Sequence, residues 1–465
     1  MVFTSLEFII FAAVFFPIYF LSRGTARLVV CLVASYLFYG WWDWRFLTLI
    51  FVSTVVDYSI ARQMESIKPD TRKILLFISL ATNLGLLGTF KYFDFFSQSF
   101  ASIARHAGLD PSPVFLNLIL PVGISFYTFQ TMSYTIDVYR KQCAVEHNFL
   151  RFAAYVSLFP QLVAGPIVRA RFLLPQMKHD QPLDWSRVAR GLELVIWGLF
   201  LKLCVADRLA GIVDAPFENP AAFGGAAHLI ATFGFGFQIY GDFAGYSLIA
   251  IGLGRMMGLD FGINFRRPYF ASSFSEFWER WHISLSSWLR EYLYVSLGGN
   301  RLGQSRTFRN LLIVMFLGGL WHGAAWTFVI WGLLHGSYLI AERAFGGLPF
   351  PRVPAIGRIL VVFLLVNAAW IFFRAENLSD AILILGRIFS WHDYALGLTH
   401  NLFAMVIGYV CIAIVITVDA FAENTLLRNW FINTPWLRVC AGAATVWLIA
   451  FIGVFDGTTF IYFQF

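Results

Sequence analysis

Residues 311–330 read LLIVMFLGGLWHGAAWTFVI, a run of twenty residues without a charged side chain. A helix of about 20 predominantly apolar residues spans the hydrocarbon core of a bilayer, so this stretch predicts a membrane-spanning helix. Two weaker candidates are 152–168 and 325–340. Ten further clear runs are 6–22, 28–42, 46–61, 74–93, 116–136, 191–213, 227–252, 359–373, 403–422 and 439–454. The sequence therefore predicts an all-α polytopic membrane protein with about 11–13 membrane segments, some of them short, tilted or re-entrant.

The composition also favours insertion into a membrane. Hydrophobic residues make up 58% of the 465 residues and charged residues only 13%, whereas an average soluble domain is about 25% charged. The net charge of +7 does not indicate nucleic-acid binding, because the basic residues lie in short loops and form no long basic stripe. No soluble domain of ordinary size is left over, so we interpret residues 1–465 as a single transmembrane domain.

Lysine and arginine residues concentrate in alternate loops. The first loop carries Arg23 and Arg27, and the loops at 62–73 and 140–151 are also basic. Because cytoplasmic loops carry an excess of these residues, we expect the N-terminus to be extracytoplasmic. The segment 94–113 is then expected to be extracytoplasmic and partly amphipathic.

A histidine lies in the middle of the most informative apolar run. Residues 318–328 read GGLWHGAAWTF, and Trp331 and His335 follow. A neutral imidazole can take a proton from a hydroxyl that attacks a carbonyl, because its pKa lies in the useful range. The flanking glycines allow a backbone or a ligand to approach closely. His322 is therefore a candidate general base, and the alternative is a buried structural histidine that a hydrogen bond satisfies.

Residues 274–294 combine tryptophan with charge in the sequence FSEFWERWHISLSSWLREYLY. On one continuous helix Glu276 and Arg280 are four residues apart and can pair. Such a helix suits a membrane interface or a protein-lined cavity, not bare lipid. It is either the wall of a site for a polar substrate or an interfacial anchor.

Further polar or irregular positions interrupt apolar segments, where they are costly. Asp242 lies in 238–247, QIYGDFAGYS, and Asp207 is a similar intrusion. Asp242 can pair with an arginine, orient a histidine or bind substrate, and a structural charge is the alternative for both residues. Two prolines and a glycine break the run at 159–169, FPQLVAGPIVR. Such breaks at membrane depth are tolerated where the chain faces protein or a water-filled cavity, which is typical of a lined tunnel.

Several catalytic and metal-binding patterns are missing from the sequence. It has no Gly-rich phosphate loop and no Gly-x-Ser-x-Gly nucleophile elbow, which weighs against an ATP-driven pump and a serine hydrolase. No His/Cys group has metal-ligand spacing, and the five cysteines are too far apart to define a disulfide framework.

Together and in this order, these stretches resemble the membrane-bound O-acyltransferase family, in particular its bacterial branch that contains the alginate O-acetyltransferase. The similarity covers nearly the whole chain. It includes 1–5 (MVFTS), 34–39 (ASYLFY), 161–166, 240–247, 264–269 (NFRRPY), 278–294, 298–301 (GGNR), 321–324 (WHGA) and 460–463 (FIYF). One departure is Leu248, where the pattern leads us to expect an acidic residue, and it bears on the acceptor more than on the reaction class.

The resemblance implies a catalytic histidine at His322 within a central membrane tunnel. It also implies a second polar site position at His282 and, for the alginate branch, a required aspartate at Asp207. The candidates for lining the substrate tunnel are Asp242, Tyr240, Trp321, Trp278, Arg280, Gln161 and Asn264. Neither a bound cofactor nor a metal is expected.

The resemblance further implies a location and partners. The protein is expected in the bacterial inner membrane, in contact with membrane lipid, and to use cytoplasmic acetyl-CoA as its acyl donor. An extracytoplasmic SGNH-type acetyltransferase or a polysaccharide secretion complex is the expected partner, with an exopolysaccharide such as alginate as acceptor. The alternatives are D-alanine transfer to teichoic acid, acetyl transfer to peptidoglycan, fatty acyl transfer to a lipid or protein, and a transporter without covalent chemistry.

Overall fold

The computed structural model of the chain describes residues 1–109, 111–347, 354–390, 402–455 and 460–461. In these ranges the regular structure is entirely helical, which confirms the predicted all-α class. The first helices are α1 Leu6–Leu21, α2 Gly24–Asp43, α3 Leu47–Ser66, α4 Pro69–Leu87, α5 Phe93–His106, α6 Ile124–Tyr139, α7 Phe149–Ser157, α8 Phe159–Leu162 and α9 Ala170–Gln176.

The remaining helices carry most of the candidate site residues. They are α10 Trp185–Phe200, α11 Asp207–Glu218, α12 Gly225–Met257, α13 Phe274–Arg280, α14 Ile283–Trp288, α15 Gln304–His322, α16 Trp326–Ala344, α17 Ala355–Arg374, α18 Leu378–Phe389, α19 Leu402–Glu423, α20 Thr425–Ile432 and α21 Pro435–Ile452. Turns of π-helix occupy Gly88–Tyr92, Leu201–Ala206 and Leu289–Tyr294.

Long apolar helices support the polytopic prediction. Five helical stretches of the described residues are long and apolar enough to cross a membrane, by length and composition. They are Gly24–Ser66, Pro69–His106, Ala355–Arg374, Leu402–Glu423 and Pro435–Ile452, and α1 is a shorter apolar helix. The burial pattern agrees, since large apolar side chains such as Leu364 and Phe403 are exposed on these helices.

Two of the clear predicted spans do not form single helices. The run 311–330 is divided, because α15 ends at His322 and α16 begins at Trp326. Gly323 has extended backbone there, and a side chain at this position would collide with the ring of Phe328. The run 116–136 becomes helical only at Ile124, because Pro121 lacks an amide donor and Gly123 adopts a left-handed conformation with φ of 75°.

The chain forms two compact units, whose boundaries fall within α10, within α12 and after residue 262. The first unit comprises 1–192 and 250–262. Its interior contains a polar network in which Ser79 and Asn83 donate hydrogen bonds to Asp57, at 2.6 and 2.9 Å. This network ties α3 to α4 through side chains that are fully or almost fully buried.

The second unit comprises 193–249 and 263–465 and contains the histidine-rich segments. Its apolar core is built from α11, α12, α17 and α19, with aromatic side chains such as Phe235 and Trp370 fully buried. Helices α15 and α16 pack backbone to backbone at Gly319 and Gly332. A Cβ at Gly332 would collide with the carbonyl oxygen of Met315, so glycine is required for this close approach.

Candidate active site

His322 is the last residue of α15 and is 3% exposed. Its ring centroid lies 5.0 Å from that of Trp331 on α16 and 5.3 Å from that of Phe373 on α17. The close packing of α15 against α16 fixes this position, because Gly319 is one turn before His322. An imidazole at a helix end, walled by aromatic rings, is held away from bulk solvent and in a defined orientation.

His282 lies next to His322, with the two ring centroids 6.4 Å apart. It is fully buried, and its Nδ1 is 3.2 Å from Oδ1 of Asn264. That oxygen also accepts hydrogen bonds from the backbone N–H and the hydroxyl of Ser284, at 3.2 and 2.9 Å. The Ser284 N–H fixes the orientation of the Asn264 amide, because a flipped amide would face it with a second donor. Nδ1 of His282 must therefore carry the proton and donate it to this oxygen. The available lone pair of the neutral ring is then on Nε2.

The structure corrects the prediction of one continuous helix over 274–294. Helix α13 ends at Arg280, and His282 has a left-handed backbone with φ of 43° before α14 begins. A non-glycine residue in this region is uncommon and is strained unless its surroundings hold it. Here Asn264 provides the restraint, because its backbone oxygen accepts a hydrogen bond from Ile283 N and its side chain caps Ser284. This break turns the His282 ring towards His322.

The predicted helical pair of Glu276 and Arg280 is present, at 2.6 Å. Arg280 also forms an ion pair with Glu423 at the end of α19, and Glu423 in turn binds Arg267 at 2.8 Å. These contacts fix the outer end of α13. They place Arg280 in a structural ion-pair network beside the histidine pair.

Asp207 and Asp242 share one buried cation, Lys202. Its Nζ lies 2.7 Å from an oxygen of each carboxylate. The other oxygen of Asp242 accepts a hydrogen bond from the backbone N–H of Ile461, at 2.6 Å. The ion pair expected for Asp242 thus exists, with lysine in place of arginine. Phe243, the next residue on α12, contacts the His282 ring at 4.5 Å and connects the carboxylate group to the histidine pair.

The aromatic tunnel candidates surround the same histidines. Trp321 contacts the rings of His282 at 5.8 Å and His322 at 5.0 Å. Trp278 packs against Trp331 at 5.8 Å. Tyr240 donates a hydrogen bond to Asp419 on α19 at 3.1 Å, and its ring lies 6.2 Å from that of Trp281. Trp321 and Asn264 are therefore immediate neighbours of the histidine pair, whereas Tyr240 lies one aromatic layer further out.

Two predictions remain, Gln161 and the closing motif at 460–463. Gln161 belongs to the first unit, where it is buried on α8 and donates a hydrogen bond to the backbone oxygen of Tyr155 at 2.8 Å. In the closing motif, Phe460 and Ile461 are described, and Tyr462 and Phe463 lie outside the described residues. Phe460 contacts the ring of Tyr246 at 4.8 Å.

Sequence reasoning did not single out Lys202, Ser247 or Ser284. Ser247 accepts a hydrogen bond from Nδ2 of Asn264 at 2.9 Å and so completes the support of His282. A lysine inside the apolar run 191–213 was a usable signal, because a cation at that depth requires a partner. The two serines gave none, since hydroxyls are common in membrane helices.

Comparison with known proteins identifies the family. Residues 33–375 match the model of the membrane-bound O-acyltransferase family. This region contains both histidines and the Lys202 cluster, and it covers more than half of the chain. The chain belongs to this family. It is a membrane protein and an O-acyltransferase.

Individual relatives are similar over most of their length. A "probable alginate O-acetylase" of Pseudomonas aeruginosa is 43% identical over 420 residues, which cover 89% of this chain and 80% of that protein. A protein of the same name from Pseudomonas putida is 39% identical, and the alignment covers 100% of both chains. A "peptidoglycan O-acetyltransferase" of Helicobacter pylori is 38% identical, covering 76% of this chain and 72% of that protein.

Proposed function

We propose that this O-acyltransferase takes an acetyl group from cytoplasmic acetyl-CoA and delivers it for O-acetylation of an extracytoplasmic polysaccharide of the alginate type. The observation that carries the proposal is the buried pair of His322 and His282 within the region that matches the family. Two relatives that are similar over most of the chain are named as alginate O-acetylases, which supports the acetyl group and the acceptor. Family membership favours acyl transfer over the transporter alternative.

His322 is the proposed general base. It takes the proton of the attacking hydroxyl, whose oxygen forms a bond to the thioester carbonyl carbon. When the tetrahedral intermediate collapses, the carbon–sulfur bond breaks and the thiolate takes the proton from the imidazolium. The products are an ester and a free thiol, and His322 returns to its neutral state. Placing both reactants against one fixed imidazole also removes much of the entropic part of the barrier.

His282 is the proposed positioning residue for this step. Its Nδ1–H is donated to Asn264, so the ring nitrogen that can accept a hydrogen bond beside His322 is Nε2. An acceptor there can hold a hydroxyl or a water in line with the base. This role depends on Asn264, because the amide sets both the tautomer of the imidazole and the left-handed backbone at position 282.

Asp207 and Asp242 have a proposed electrostatic role. Their shared bond to Lys202 argues against either carboxylate acting as a free acid or base. The cluster instead fixes the π-helical turn Leu201–Ala206 against α12, which carries Phe243 onto the ring of His282. The family tunnel, with Trp321, Trp278 and Tyr240 among its lining residues, remains part of the proposal.

The proposed location is the bacterial inner membrane with an extracytoplasmic N-terminus. The basic residues at 23–27 and 62–73, where α1 is followed by α2 and α3 by α4, support this orientation. An extracytoplasmic acetyltransferase of the SGNH type is the proposed partner, which would receive the acetyl group and complete the modification.

The experiment uses the full chain in nanodiscs with acetyl-CoA labelled in the acetyl group. Release of label is measured for wild type, His322→Gln and His322→Ala in the presence of the SGNH-type partner, with alginate oligosaccharides or peptidoglycan fragments as acceptors. We expect wild type to turn over acetyl-CoA. In both variants turnover should fall at least about a hundredfold, which is the lower end of the effect expected when a positioned general base is removed. Gel filtration and thermal unfolding establish that the variants are folded.

Each result has a defined meaning. Equal turnover by wild type and folded His322 variants contradicts the assignment of the base. Transfer to peptidoglycan fragments but not to alginate favours the acceptor named for the Helicobacter pylori relative. Turnover of D-alanyl or longer acyl thioesters, with none of acetyl-CoA, refutes the proposed donor.

A further inference from the structure

A cavity of about 190 Å³ lies in the first unit, at the turn between α1 and α2. Tyr19 and Arg27 line it from these two helices, and Arg151 lines it from α7. Lys178 and Asp180 line it from the segment that follows α9. Clefts that bury a drug-sized ligand measure about 300–1,000 Å³, so this smaller cavity suits a single polar group. We call it the Arg27 pocket.

Cations outnumber acids in the Arg27 pocket. The described residues that line it include the cations Arg27, Arg151 and Lys178 but a single carboxylate, Asp180. That carboxylate serves the wall itself. Its two oxygens lie 2.9 and 3.0 Å from the backbone nitrogen of Gly24, which donates to them, and one of them lies 3.6 Å from Nε of Arg27. The pocket therefore keeps an excess of positive charge that an anion can neutralise.

Both arginines of the pocket are held in place and still have N–H groups to donate. Arg27 is 8% exposed, and its Nε and Nη1 donate to the backbone oxygens of Ser22 and Gln181, at 3.0 and 2.8 Å. Its Nη2 has no hydrogen-bond partner among the described residues. Nη1 of Arg151 donates to Glu146 at 2.9 Å, whereas its buried Nε has no partner in the same part of the chain. Because a phosphate carries several strong acceptor oxygens, it is the anion that guanidinium groups bind best.

Two helices also begin at the Arg27 pocket. Gly24 and Thr25, which line it, are the first residues of α2, and Asn148, which also lines it, is the N-cap of α7. The backbone N–H groups and the dipole at the N-terminus of a helix favour a bound anion. The helix ends thus act with the same sign as the basic side chains.

The place of the pocket in the fold indicates where the anion comes from. Helices α1 and α2 are apolar and are joined by Ser22 and Arg23 alone, so their turn lies at a membrane surface in either orientation of the chain. Basic pockets between membrane helices bind the headgroups of anionic phospholipids. The pocket is therefore within reach of a lipid headgroup.

An apolar groove of about 580 Å³ runs between the exposed sides of the same two helices. The residues that line it include Val14, Ile18, Val29, Val33 and Leu37. Ile18 and Val29 are the chain neighbours of Tyr19 and Leu28, which line the Arg27 pocket. A site for a headgroup and a site for an acyl chain thus begin at the same turn.

We propose that the Arg27 pocket binds a phosphate group, and that this phosphate belongs to an anionic phospholipid whose acyl chain lies along the groove between α1 and α2. A soluble nucleotide has the same phosphate chemistry but makes no use of an apolar groove. The inference goes beyond the proposed acyl transfer and does not depend on it. A lipid that binds the folded protein also stabilises it by mass action.

The test measures lipid binding to the delipidated full chain in detergent. The protein is titrated with phosphatidylglycerol, which has a net negative charge, and with phosphatidylcholine, which has a phosphate but no net charge. Native mass spectrometry gives the Kd of the first bound lipid. We expect wild type to bind phosphatidylglycerol about tenfold more tightly than phosphatidylcholine, because a basic site favours the net charge.

Two variants remove cations from the pocket. Lys178→Gln changes an exposed side chain and should raise the Kd for phosphatidylglycerol about fivefold, which corresponds to about 1 kcal/mol for one basic residue at a membrane surface. Arg151→Gln/Glu146→Gln removes a cation together with its acid partner, so the net charge of the chain does not change. This variant should raise the Kd about tenfold, the lower end for a hydrogen bond to a charged group.

A matched control is Lys68→Gln. Lys68 is an exposed basic residue that directly precedes α4 and does not line the Arg27 pocket. The change lowers the net charge by the same amount as Lys178→Gln. It should leave the Kd for phosphatidylglycerol within about twofold of wild type, because salt screens an exposed charge outside the pocket. Gel filtration and thermal unfolding of every variant separate loss of folding from loss of binding.

Three outcomes overturn the inference. They are equal affinity for the two lipids, equal losses in Lys178→Gln and Lys68→Gln, and an unchanged Kd in both pocket variants. Competition with inorganic phosphate or adenosine 3′,5′-bisphosphate distinguishes the source of the phosphate. If either compound displaces phosphatidylglycerol and binds more weakly to the pocket variants, the pocket is a site for a soluble phosphate and the lipid is rejected. The absence of displacement supports the lipid.

Discussion

Replacing Lys202 with methionine is a direct test of how the second unit holds its buried charges. Lys202 is the cation that Asp207 and Asp242 share, at 2.7 Å from each. Methionine has a similar length but no charge, so Lys202→Met leaves two buried carboxylates facing each other. The expected result is loss of stability and, through the displaced α12, loss of activity.

The magnitude follows from the burial of all three side chains. Asp242 is 1% exposed, and Lys202 and Asp207 are 6% and 8% exposed. Removing one partner of a buried ion pair costs roughly 3–5 kcal/mol, because the remaining charge stays in a medium that does not solvate it. The variant Lys202→Met/Asp207→Asn/Asp242→Asn contains no charge at this place. It should recover most of that loss, since a neutral replacement of a whole buried cluster is often tolerated.

Maleimide labelling of Cys204 reports on this region directly. Cys204 lies in the same π-helical turn as Lys202 and is fully buried in the folded protein. Labelling is followed against temperature, and the modified cysteine is identified by peptide mass spectrometry. The control is Arg438→Met, which breaks a partly exposed ion pair with Glu193. That change should cost about 1 kcal/mol or less, because solvent screens the charges.

Two results would refute this reasoning. If Lys202→Met labels at Cys204 no faster than wild type at any temperature, the cluster does not stabilise the fold. If the uncharged triple variant is as unstable as Lys202→Met, the defect comes from packing and not from the uncompensated carboxylates.

Two further predictions concern the support of the histidines. Asn264→Leu removes the partners of His282 Nδ1 and the Ser284 N–H, so it should cost about 1–3 kcal/mol and lower turnover at least tenfold. Thermal unfolding and labelled acetyl transfer measure both effects, and unchanged turnover would contradict the positioning role. Gly332→Ala forces α16 away from α15 and should cost about 1–3 kcal/mol with loss of activity. Gly442→Ala on α21 has open space around it and should be neutral or slightly stabilising, so equal effects of the two would show that helix contact is irrelevant.

Much of the helical architecture could be predicted because its signal is local. A run of apolar residues that is long enough to cross a bilayer must be helical, since lipid offers no partners to its backbone. Predicted runs such as 6–22 and 359–373 correspond to α1 and α17 within a few residues. The predictions of a single helix over 116–136 and over 311–330 were wrong. Each run contains a proline or a glycine, and the effect of that residue depends on its neighbours in space.

The identity of several candidate site residues was also available from the sequence, but their relations were not. A histidine in an uncharged run is conspicuous, and so His322 could be named from its surroundings, whereas His282 lies in a charged stretch and was named from the family resemblance. The tautomer of His282 could not be predicted from the sequence, because it depends on the orientation of the Asn264 amide. Ser247 and Ser284 fix that orientation. These contacts join residues that are far apart in sequence or that lie across a break in the helix.

The sequence by itself determined the class of the protein, its apolar segments and the polar residues that membrane burial makes expensive. Those properties follow from composition and from spacing along one helix. Tertiary structure decided the rest: that Lys202 serves two carboxylates, that the helix breaks at His282, and that the rings of Trp278, Trp331 and His335 pack together beside His322. The physical reason is that hydrogen bonds, ion pairs and ring contacts act over a few ångströms in space, and the distance between two residues along the chain does not fix that separation.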